Sequence, residues 1–228
     1  MPSEEQLIKR DIVKAAIGIY LKNKADFNEK NIATRMKLNE KQFTSFFKNK
    51  NEVLQYFYVD AMLQYREMVP EIEGFENATL EEKISNFIYM MFDIFQPYRK
   101  FVEKTFDALI LMRVTASPFQ KEVENIFKEI SDSDYSVSAL VKPVVSNPLT
   151  FDIFSRQYFL LIKFWLSDHS ENHENTIALV DKSVSLFTEV IQTRIPDKAL
   201  ELFKYVVVDK IGKIKIPFIG NFLNDKQL

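Results

Sequence analysis

The sequence of 228 residues contains no cysteine, and this absence excludes several kinds of chemistry. Without thiols the chain has no disulfide, no thiolate metal site and no cysteine nucleophile. Histidine is also rare, with 2 residues, which disfavours a hydrolytic triad. The sequence has no glycine-rich phosphate loop and no G-x-S-x-G motif. We therefore expect neither an enzyme nor a bound cofactor.

Glycine is scarce, with 4 residues, and long apolar runs are missing. Few glycines together with long segments of helical spacing predict an all-α chain. The most apolar run, 158–166, is too short to span a bilayer and contains Lys163. The first ten residues lack the basic-then-apolar pattern of a secretory signal. We expect a cytoplasmic protein, with a membrane partner disfavoured.

Apolar residues make up 46% of the chain, including 21 phenylalanines, and charged residues make up 27%. This composition predicts a sizeable core rather than disorder. The charge is uneven: residues 1–57 hold eleven Lys and Arg against seven Asp and Glu. That segment therefore carries +4 and leaves −6 for the rest. A basic N-terminal segment suits contact with phosphate, although an ordinary solvated surface rich in lysine would have the same charge.

Residues 28–50, NEKNIATRMKLNEKQFTSFFKNK, have the apolar spacing of two short helices joined by a tight turn. Asn39 is a suitable N-cap for the second helix, and Leu38 is placed to fill the angle between the two. This is the pattern of a helix-turn-helix, whose second helix enters the DNA major groove. The residues that share a buried face are Ile32, Ala33 and Met36 in the first helix and Phe43, Phe46 and Phe47 in the second.

Further helices are predicted on both sides of this pair. A capping-box pattern, Thr79 with Glu82, and an N-cap with proline, Ser117–Pro118, mark two of the starts. The stretch 131–150 is rich in Ser, Asp and Pro and is predicted to be largely irregular. The predicted helices cover 4–22, 51–69, 79–96, 98–114, 118–130, 150–167, 174–194 and a segment after Pro196.

The stretches IVKAAIGIY (12–20) and NIATRMKLNEKQFTSFFKNKNEVL (31–54), followed by a larger helical body, resemble the tetracycline-repressor (TetR) family of bacterial transcription regulators. The resemblance implies an all-α fold with a three-helix helix-turn-helix DNA-binding domain at 1–50. It implies a larger helical effector-binding and dimerisation domain at 51–228. The residues that fit the family pattern are Ile32, Ala33, Leu38, Asn39, Phe43 and Phe47 to Lys50.

Two positions depart from the family pattern. Lys37 stands where the turn usually has glycine, and a left-handed residue with a side chain costs about 1 kcal/mol or more. Thr44 stands where the recognition helix usually has a tyrosine that reaches phosphate. A threonine hydroxyl can still donate to phosphate, but with a shorter reach.

The resemblance implies a dimeric, ligand-responsive transcription regulator, specifically a repressor released by a small effector. We assign Lys48 and Lys50 to operator phosphates, supported by Thr44 and Lys30. Base reading would come from the first half of the recognition helix, and the candidates there are Lys41, Gln42 and Ser45. The alternative is that all seven are ordinary polar residues on a solvated surface.

In the resembling family the last two long helices form a four-helix interface with a second copy, which here implies 150–167 and 174–194. Both could instead be internal helices. The remaining helices would enclose an apolar or aromatic effector. Its binding would shift the linking helix 51–69 and thereby change the separation of the two DNA-binding domains of the dimer. The candidate lining residues, each of which is alternatively ordinary core, are Phe92, Phe95, Phe106, Met112, Tyr158 and Trp165.

Two alternatives remain open. His169 and His173 are four residues apart, but they lie in a predicted loop, so we expect no metal site. The second alternative is a TetR-like fold that has lost DNA binding and acts as a lipid-binding or membrane-surface protein. The tail 197–228 would then lie on a membrane rather than pack on the body.

Overall fold

Helices make up nearly all of the described structure. The computed structural model describes residues 2–113, 115–133 and 148–192, and no strand occurs within these ranges. The predicted all-α class is confirmed. The α-helices are α1 (Glu4–Lys22), α2 (Glu29–Arg35), α3 (Glu40–Phe46), α4 (Lys50–Met68), α5 (Leu80–Phe95), α6 (Arg99–Phe106), α7 (Pro118–Asp132), α8 (Pro148–Ser167) and α9 (Glu174–Gln192).

Short polar side chains begin most of these helices. Asn39 and Thr79 each form a complete capping box, with Gln42 and Glu82 respectively, and so satisfy backbone N–H groups that the helix leaves free. Ser117 accepts from the backbone N–H of Gln120, directly before Pro118. The three predicted starts are confirmed, because these caps depend only on residues close in sequence.

The predicted helix 98–114 is wrong beyond Phe106. The α-helical part, α6, ends there, and a wider π-helical turn covers Asp107–Leu111. The Met112 N–H donates to the Asp107 carbonyl, five residues earlier, at 2.9 Å. This hydrogen bond spans five residues instead of the four of an α-helix, so the residues that follow it lie on another face of the helix. Val114 lies outside the described residues.

The helix α4 is the central element, because it packs against α1 on one side and against α5 and α7 on the other. Its buried residues recur at helical spacing, including Val53, Phe57, Ala61 and Tyr65. The predicted linking helix 51–69 is thus confirmed to within a residue at each end. A short 3-10 turn, Val69–Glu71, follows it.

The last two described helices cover the body. The helix α8 packs against α7, and α9 packs against α5 and α8. The predicted irregular stretch 131–150 is wrong at both ends, because α7 continues to Asp132 and α8 begins at Pro148. The helix predicted after Pro196 and the tail 197–228 lie outside the described residues. Within the described part of the chain, no helix is long and apolar enough to cross a bilayer.

Candidate functional site

The turn between α2 and α3 has the geometry expected of a helix-turn-helix. Lys37 has a φ of 56°, in the left-handed region that glycine adopts most readily. The Leu38 N–H donates to the Ala33 carbonyl at 2.9 Å, and the Lys37 N–H donates to the Thr34 carbonyl at 3.1 Å. The chain therefore makes this left-handed turn with lysine in the usual glycine position.

The inner side of α3 is aromatic. Phe43 and Phe47 are buried, and their ring centroids lie 6.4 Å apart. Phe46 is half-buried and packs against the same core, as do Met36 and Leu38 from the preceding turn. The helix α3 packs against α2, and Phe47 lies 5.4 Å from the Tyr56 ring of α4, so the opposite side of α3 faces outward.

Four of the predicted DNA-binding residues share this outward side: Lys41, Gln42, Thr44 and Ser45 are all exposed. Three of them are already hydrogen-bonded within the helix. The Gln42 Oε1 accepts the Asn39 N–H at 2.9 Å. The Thr44 hydroxyl hydrogen is shared between the carbonyls of Glu40 and Lys41, at 2.9 and 3.0 Å, and Ser45 donates to the Gln42 carbonyl at 2.7 Å. To donate to phosphate, Thr44 or Ser45 would have to release such a bond.

The other predicted phosphate contacts differ in their environments. Lys30 on α2 and Lys48 after α3 are exposed. Lys50 is half-buried, and its Nζ donates to the Phe27 carbonyl at 3.0 Å and lies 5.5 Å from the Phe27 ring centroid. Lys50 therefore ties the start of α4 to the loop before α2.

Carboxylates near this surface are held by backbone groups. The Lys50 N–H donates to Glu29 Oε1 at 3.0 Å, and this bond lowers the pKa of the Glu29 carboxyl. The Lys48 N–H donates to Glu52 Oε2 at 2.6 Å. Glu40 is exposed in the first turn of α3. The negative charge of Glu29 and Glu52 is therefore used to fix the ends of helices α2 and α4.

A buried ion-pair network joins the head, residues 1–50, to α4. The Asp60 carboxylate is almost completely buried and accepts the Arg10 Nε at 2.9 Å and the Arg10 Nη2 at 2.9 Å. Gln64 donates to Asp60 at 2.8 Å, and Glu67 accepts from Arg10 at 3.2 Å. Burial disfavours the charge on Arg10, but these hydrogen bonds outweigh it and raise its pKa.

An aromatic contact joins the head to the body at a second point. The Tyr20 ring on α1 lies edge-on to Phe101 on α6, with centroids 5.9 Å apart. Phe101 in turn lies edge-on to Phe57 of α4 at 5.0 Å. Movement of α4 relative to α1 would therefore disturb the ion pair, and movement of α6 relative to α1 would disturb this ring contact.

The six predicted effector-binding residues fall into three groups. Phe92 and Trp165 stack in parallel at 5.3 Å. Phe95, Phe106 and Tyr158 belong to a larger group of rings on α4, α5, α6, α7 and α8, in which Tyr58 and Phe119 are shared neighbours. Met112 is 75% exposed, because the π turn before it directs the residues that follow away from the core. The structure therefore brings the five aromatic residues into one core and leaves Met112 apart from them.

Comparison with known protein families gives one match that decides the identity. The family model described as a tetracyclin repressor-like C-terminal domain matches residues 83–206, more than half of the chain. The chain belongs to the TetR family. This match begins within α5 and lies in the body, whereas the resemblance described for the sequence lies in the first 54 residues. No curated protein gives a significant match to the chain.

In this TetR-family protein, Tyr158 has an unusual place among the core residues. Its side chain is fully buried between Phe87, Phe119 and Phe127, and its hydroxyl has no hydrogen-bond partner among the described residues. The nearby Tyr58 hydroxyl, by contrast, is 2.7 Å from the Thr105 hydroxyl. Burial raises the pKa of Tyr158 well above its usual value, so the group stays protonated.

Sequence reasoning missed the polar residues that connect distant parts of this TetR-family chain. Arg99 donates to the carbonyls of Trp165, Leu166 and Asp168, and so caps the end of α8. Its Nη1 lies 2.9 Å from His173 Nε2, which gives that histidine a protein partner. Within the described residues, no group of three side chains that could hold a metal ion occurs.

For two other buried polar residues, Asp60 and Lys83, the sequence does contain a signal, because each is a charged residue inside an apolar stripe. Asp60 lies in the apolar run of α4, and Lys83 lies beside Leu80, Ile84 and Phe87 on α5. Neither position suits a charge unless a partner is nearby. The pattern does not reveal which partner is used.

Proposed function

We propose that this TetR-family protein is a dimeric, DNA-binding transcription regulator, and specifically a repressor released by a small apolar or aromatic effector. The observation that carries this proposal is the geometry of α3. One side of this capped helix is buried through Phe43 and Phe47, and the other side is outward and polar. Such a helix can enter the major groove without exposing the core of the head.

The structure supports a sharper assignment of the DNA contacts. Lys41 and Lys48 have exposed side chains beside α3, and Lys30 adds a third exposed cation from α2. We assign these three to phosphate or base contact, and Gln42, Ser45 and Thr44 to contacts made when their hydrogen bonds within the helix exchange. Lys50 is assigned to the structure of the head. The proposed division is a DNA-binding domain at 1–50 and an effector and dimerisation domain from 51 onward.

Exposed apolar side chains on the last two helices support the dimer. Leu160 and Phe164 on α8 and Ile177 and Leu186 on α9 are large, hydrophobic and exposed, with Leu186 at 63%. They are four of the seven exposed large apolar residues in the described part of the chain. Burying them against a second copy would remove apolar surface from water and place the two heads at a fixed spacing.

The proposed mechanism uses α4 as the moving element. An effector that opens the ring cluster around Tyr158 would have to displace Tyr58 or Phe119, which pack together at 5.6 Å between α4 and α7. Because Asp60 on the same helix holds Arg10 of α1, a shift of α4 would carry the head with it. The two heads would then lose the separation that DNA requires, about 34 Å.

A binding assay tests the DNA part of this proposal. The protein is titrated into labelled DNA from the region upstream of its own gene at several salt concentrations. Binding should weaken steeply with salt, and Lys41→Ala and Lys48→Ala should each reduce the slope by about 2, which is about 1 for each head of the dimer. Neither change should alter stability by more than about 0.5 kcal/mol, because both side chains are exposed.

A matched control uses Lys128→Ala, an exposed lysine on α7 far from the head in sequence. This variant should bind DNA as the unchanged protein does. Equal losses in all three variants would mean that the contact is a non-specific charge effect. No salt-dependent binding at all would contradict the DNA-binding proposal.

A further inference from the structure

A pocket lies where the end of α4, the loop 72–79, the start of α5 and the end of α7 meet. Its volume is about 360 Å³, at the small end of the range for sites that bind small molecules. None of the six effector candidates named above lines it. Much of its wall is apolar, with Tyr65 and Val69 from α4, Phe75 from the loop, and Ile126 and Ile130 from α7.

One wall of this pocket carries a buried cation. Lys83 is only 4% exposed, and its Nζ donates to the Glu76 carbonyl at 3.2 Å and to the Ser133 hydroxyl at 3.3 Å. Both acceptors also line the pocket. A lysine ammonium has three hydrogens, so one donor remains available.

The position of Lys83 is unfavourable in two respects. It lies in the first turns of α5, where the helix dipole is positive and disfavours a cation. It is also buried without a carboxylate partner among the described residues, since no ion pair involves it there. A buried charge of this kind is costly unless an opposite charge compensates it.

The other charged groups of the pocket do not supply that compensation. Arg66 is held by Glu129 at 2.9 Å and by Glu122 at 3.4 Å, and the bonds to Glu129 raise the pKa of the Arg66 guanidinium. Glu76 is exposed and meets Lys83 through its backbone carbonyl, not its carboxylate. Among the described residues, the acceptors of the Lys83 ammonium are thus both neutral.

We propose that this pocket binds a small monocarboxylate with an aliphatic or aromatic body. Its carboxylate would accept the free Lys83 hydrogen and supply the missing negative charge. Its apolar part would lie against Tyr65, Ile126 and Ile130. A charge-assisted hydrogen bond in a buried site is stronger than a neutral one, so recognition depends on the carboxylate.

The position of the pocket connects it to regulation. Three residues from the end of α4 line it, Tyr65, Arg66 and Val69, and the same helix holds the head through Asp60. This proposal deepens the proposed function by naming the chemical class of the effector and by placing it beside the ring cluster rather than inside it. Tyr65 of the pocket packs on Phe87 at 5.0 Å, and Phe87 packs on Tyr158 at 5.1 Å. The proposal rests on that function for the step from binding to DNA release. The binding step itself needs only the free protein.

The experiment compares acids with their neutral amides. Octanoate and benzoate are titrated into the full-length protein by isothermal titration calorimetry, with octanamide and benzamide as matched neutral probes. We expect a carboxylate to bind at least about ten times more tightly than its amide. Equal binding of acid and amide, or no binding of either acid, would overturn the proposal. This comparison requires no variant to fold.

Two variants then test the role of Lys83. Lys83→Met keeps the length and apolar stem but removes the charge, and should weaken carboxylate binding about 10- to 100-fold. Lys83→Arg keeps the charge and should recover part of the affinity, which a merely structural lysine would not predict. The control Lys128→Met, on the exposed side of α7, should bind as the unchanged protein does. Unchanged binding in a folded Lys83→Met protein would also overturn the proposal.

The same protein preparations separate this proposal from the DNA-binding one. Salt-dependent DNA binding without carboxylate binding would overturn the pocket proposal alone. Carboxylate binding that depends on Lys83, in a protein that binds no DNA, would support the pocket and contradict the regulator.

Discussion

Asp60 and Tyr158 are both buried polar side chains, but their surroundings differ completely. Asp60 lies where the head meets α4, and Arg10 and Gln64 donate to both of its oxygens. Tyr158 lies at the centre of the body among phenylalanine rings, and no group in the described ranges bonds its hydroxyl. An unsatisfied buried hydroxyl costs roughly 1–3 kcal/mol, whereas a fully bonded carboxylate fixes the geometry around it.

The contrast indicates different tasks for the two regions. We call the contact of Arg10 with Asp60 and Glu67 the joint between the head and α4. Its hydrogen bonds fix one arrangement, so in the proposed mechanism α1 moves together with α4. The body centre contains the Tyr158 hydroxyl, which makes no hydrogen bond within the part of the chain that the structure describes. In our proposal a bound effector, or the shift it induces, provides that missing bond.

The largest expected effect comes from breaking the joint. Asp60→Asn leaves Arg10 half-buried with only Glu67 as an acidic partner, and should lower the free energy of unfolding by about 3 kcal/mol. Urea denaturation followed by circular dichroism measures this. The control is Asp11→Asn on α1, whose pair with Lys14 is exposed and 3.5 Å long. It should cost about 0.5 kcal/mol or less, and equal losses would mean that the joint is no more important than a surface pair.

A smaller effect of opposite sign is expected at the body centre. Tyr158→Phe removes the unpartnered hydroxyl and should raise the free energy of unfolding by about 1 kcal/mol. The matched change Tyr58→Phe should lower it by a similar amount, because it removes the hydrogen bond that Tyr58 donates to the Thr105 hydroxyl, whose own hydrogen goes to the Phe101 carbonyl. Thermal unfolding of both variants provides the measurement. A loss of stability in Tyr158→Phe would mean that its hydroxyl has a partner in solution.

The smallest effect is expected in the turn of the head, where the strain is in the backbone rather than in a buried side chain. Lys37→Gly relieves a left-handed residue and should stabilise the protein by about 0.5–1 kcal/mol. Lys37→Ala removes the same charge but keeps the Cβ, so it should give no such gain. The midpoint of urea unfolding distinguishes the two. Equal midpoints for both variants would contradict a strained turn.

Local sequence predicted the helix starts well because a cap and its helix are only a few residues apart. Asn39, Thr79 and Ser117 accept from backbone N–H groups three residues later. The apolar spacing likewise predicted which side of α3 is buried. These features need no knowledge of the rest of the chain.

Roles that depend on distant partners could not be predicted in this way. The sequence predicts a phosphate contact for Lys50, and its spacing does not reveal that the Lys50 ammonium bonds the carbonyl of Phe27, 23 residues earlier. Asp60 and Arg10 are 50 residues apart, and the pattern of either helix alone does not relate them. Met112 was placed with the effector candidates because the spacing assumed a continuous α-helix, and the π turn Asp107–Leu111 interrupts it.

The length of α3 limits how much sequence one head can read. Seven residues of α-helix extend for about 10 Å, which corresponds to roughly three base-pair steps of 3.4 Å. With four distinguishable base pairs, a given triplet recurs about once in 64 positions. One head therefore carries too little information to mark a site in a genome. In the proposed complex, selectivity has to come from two heads at a fixed separation, so the distance between the two DNA half-sites contributes to recognition.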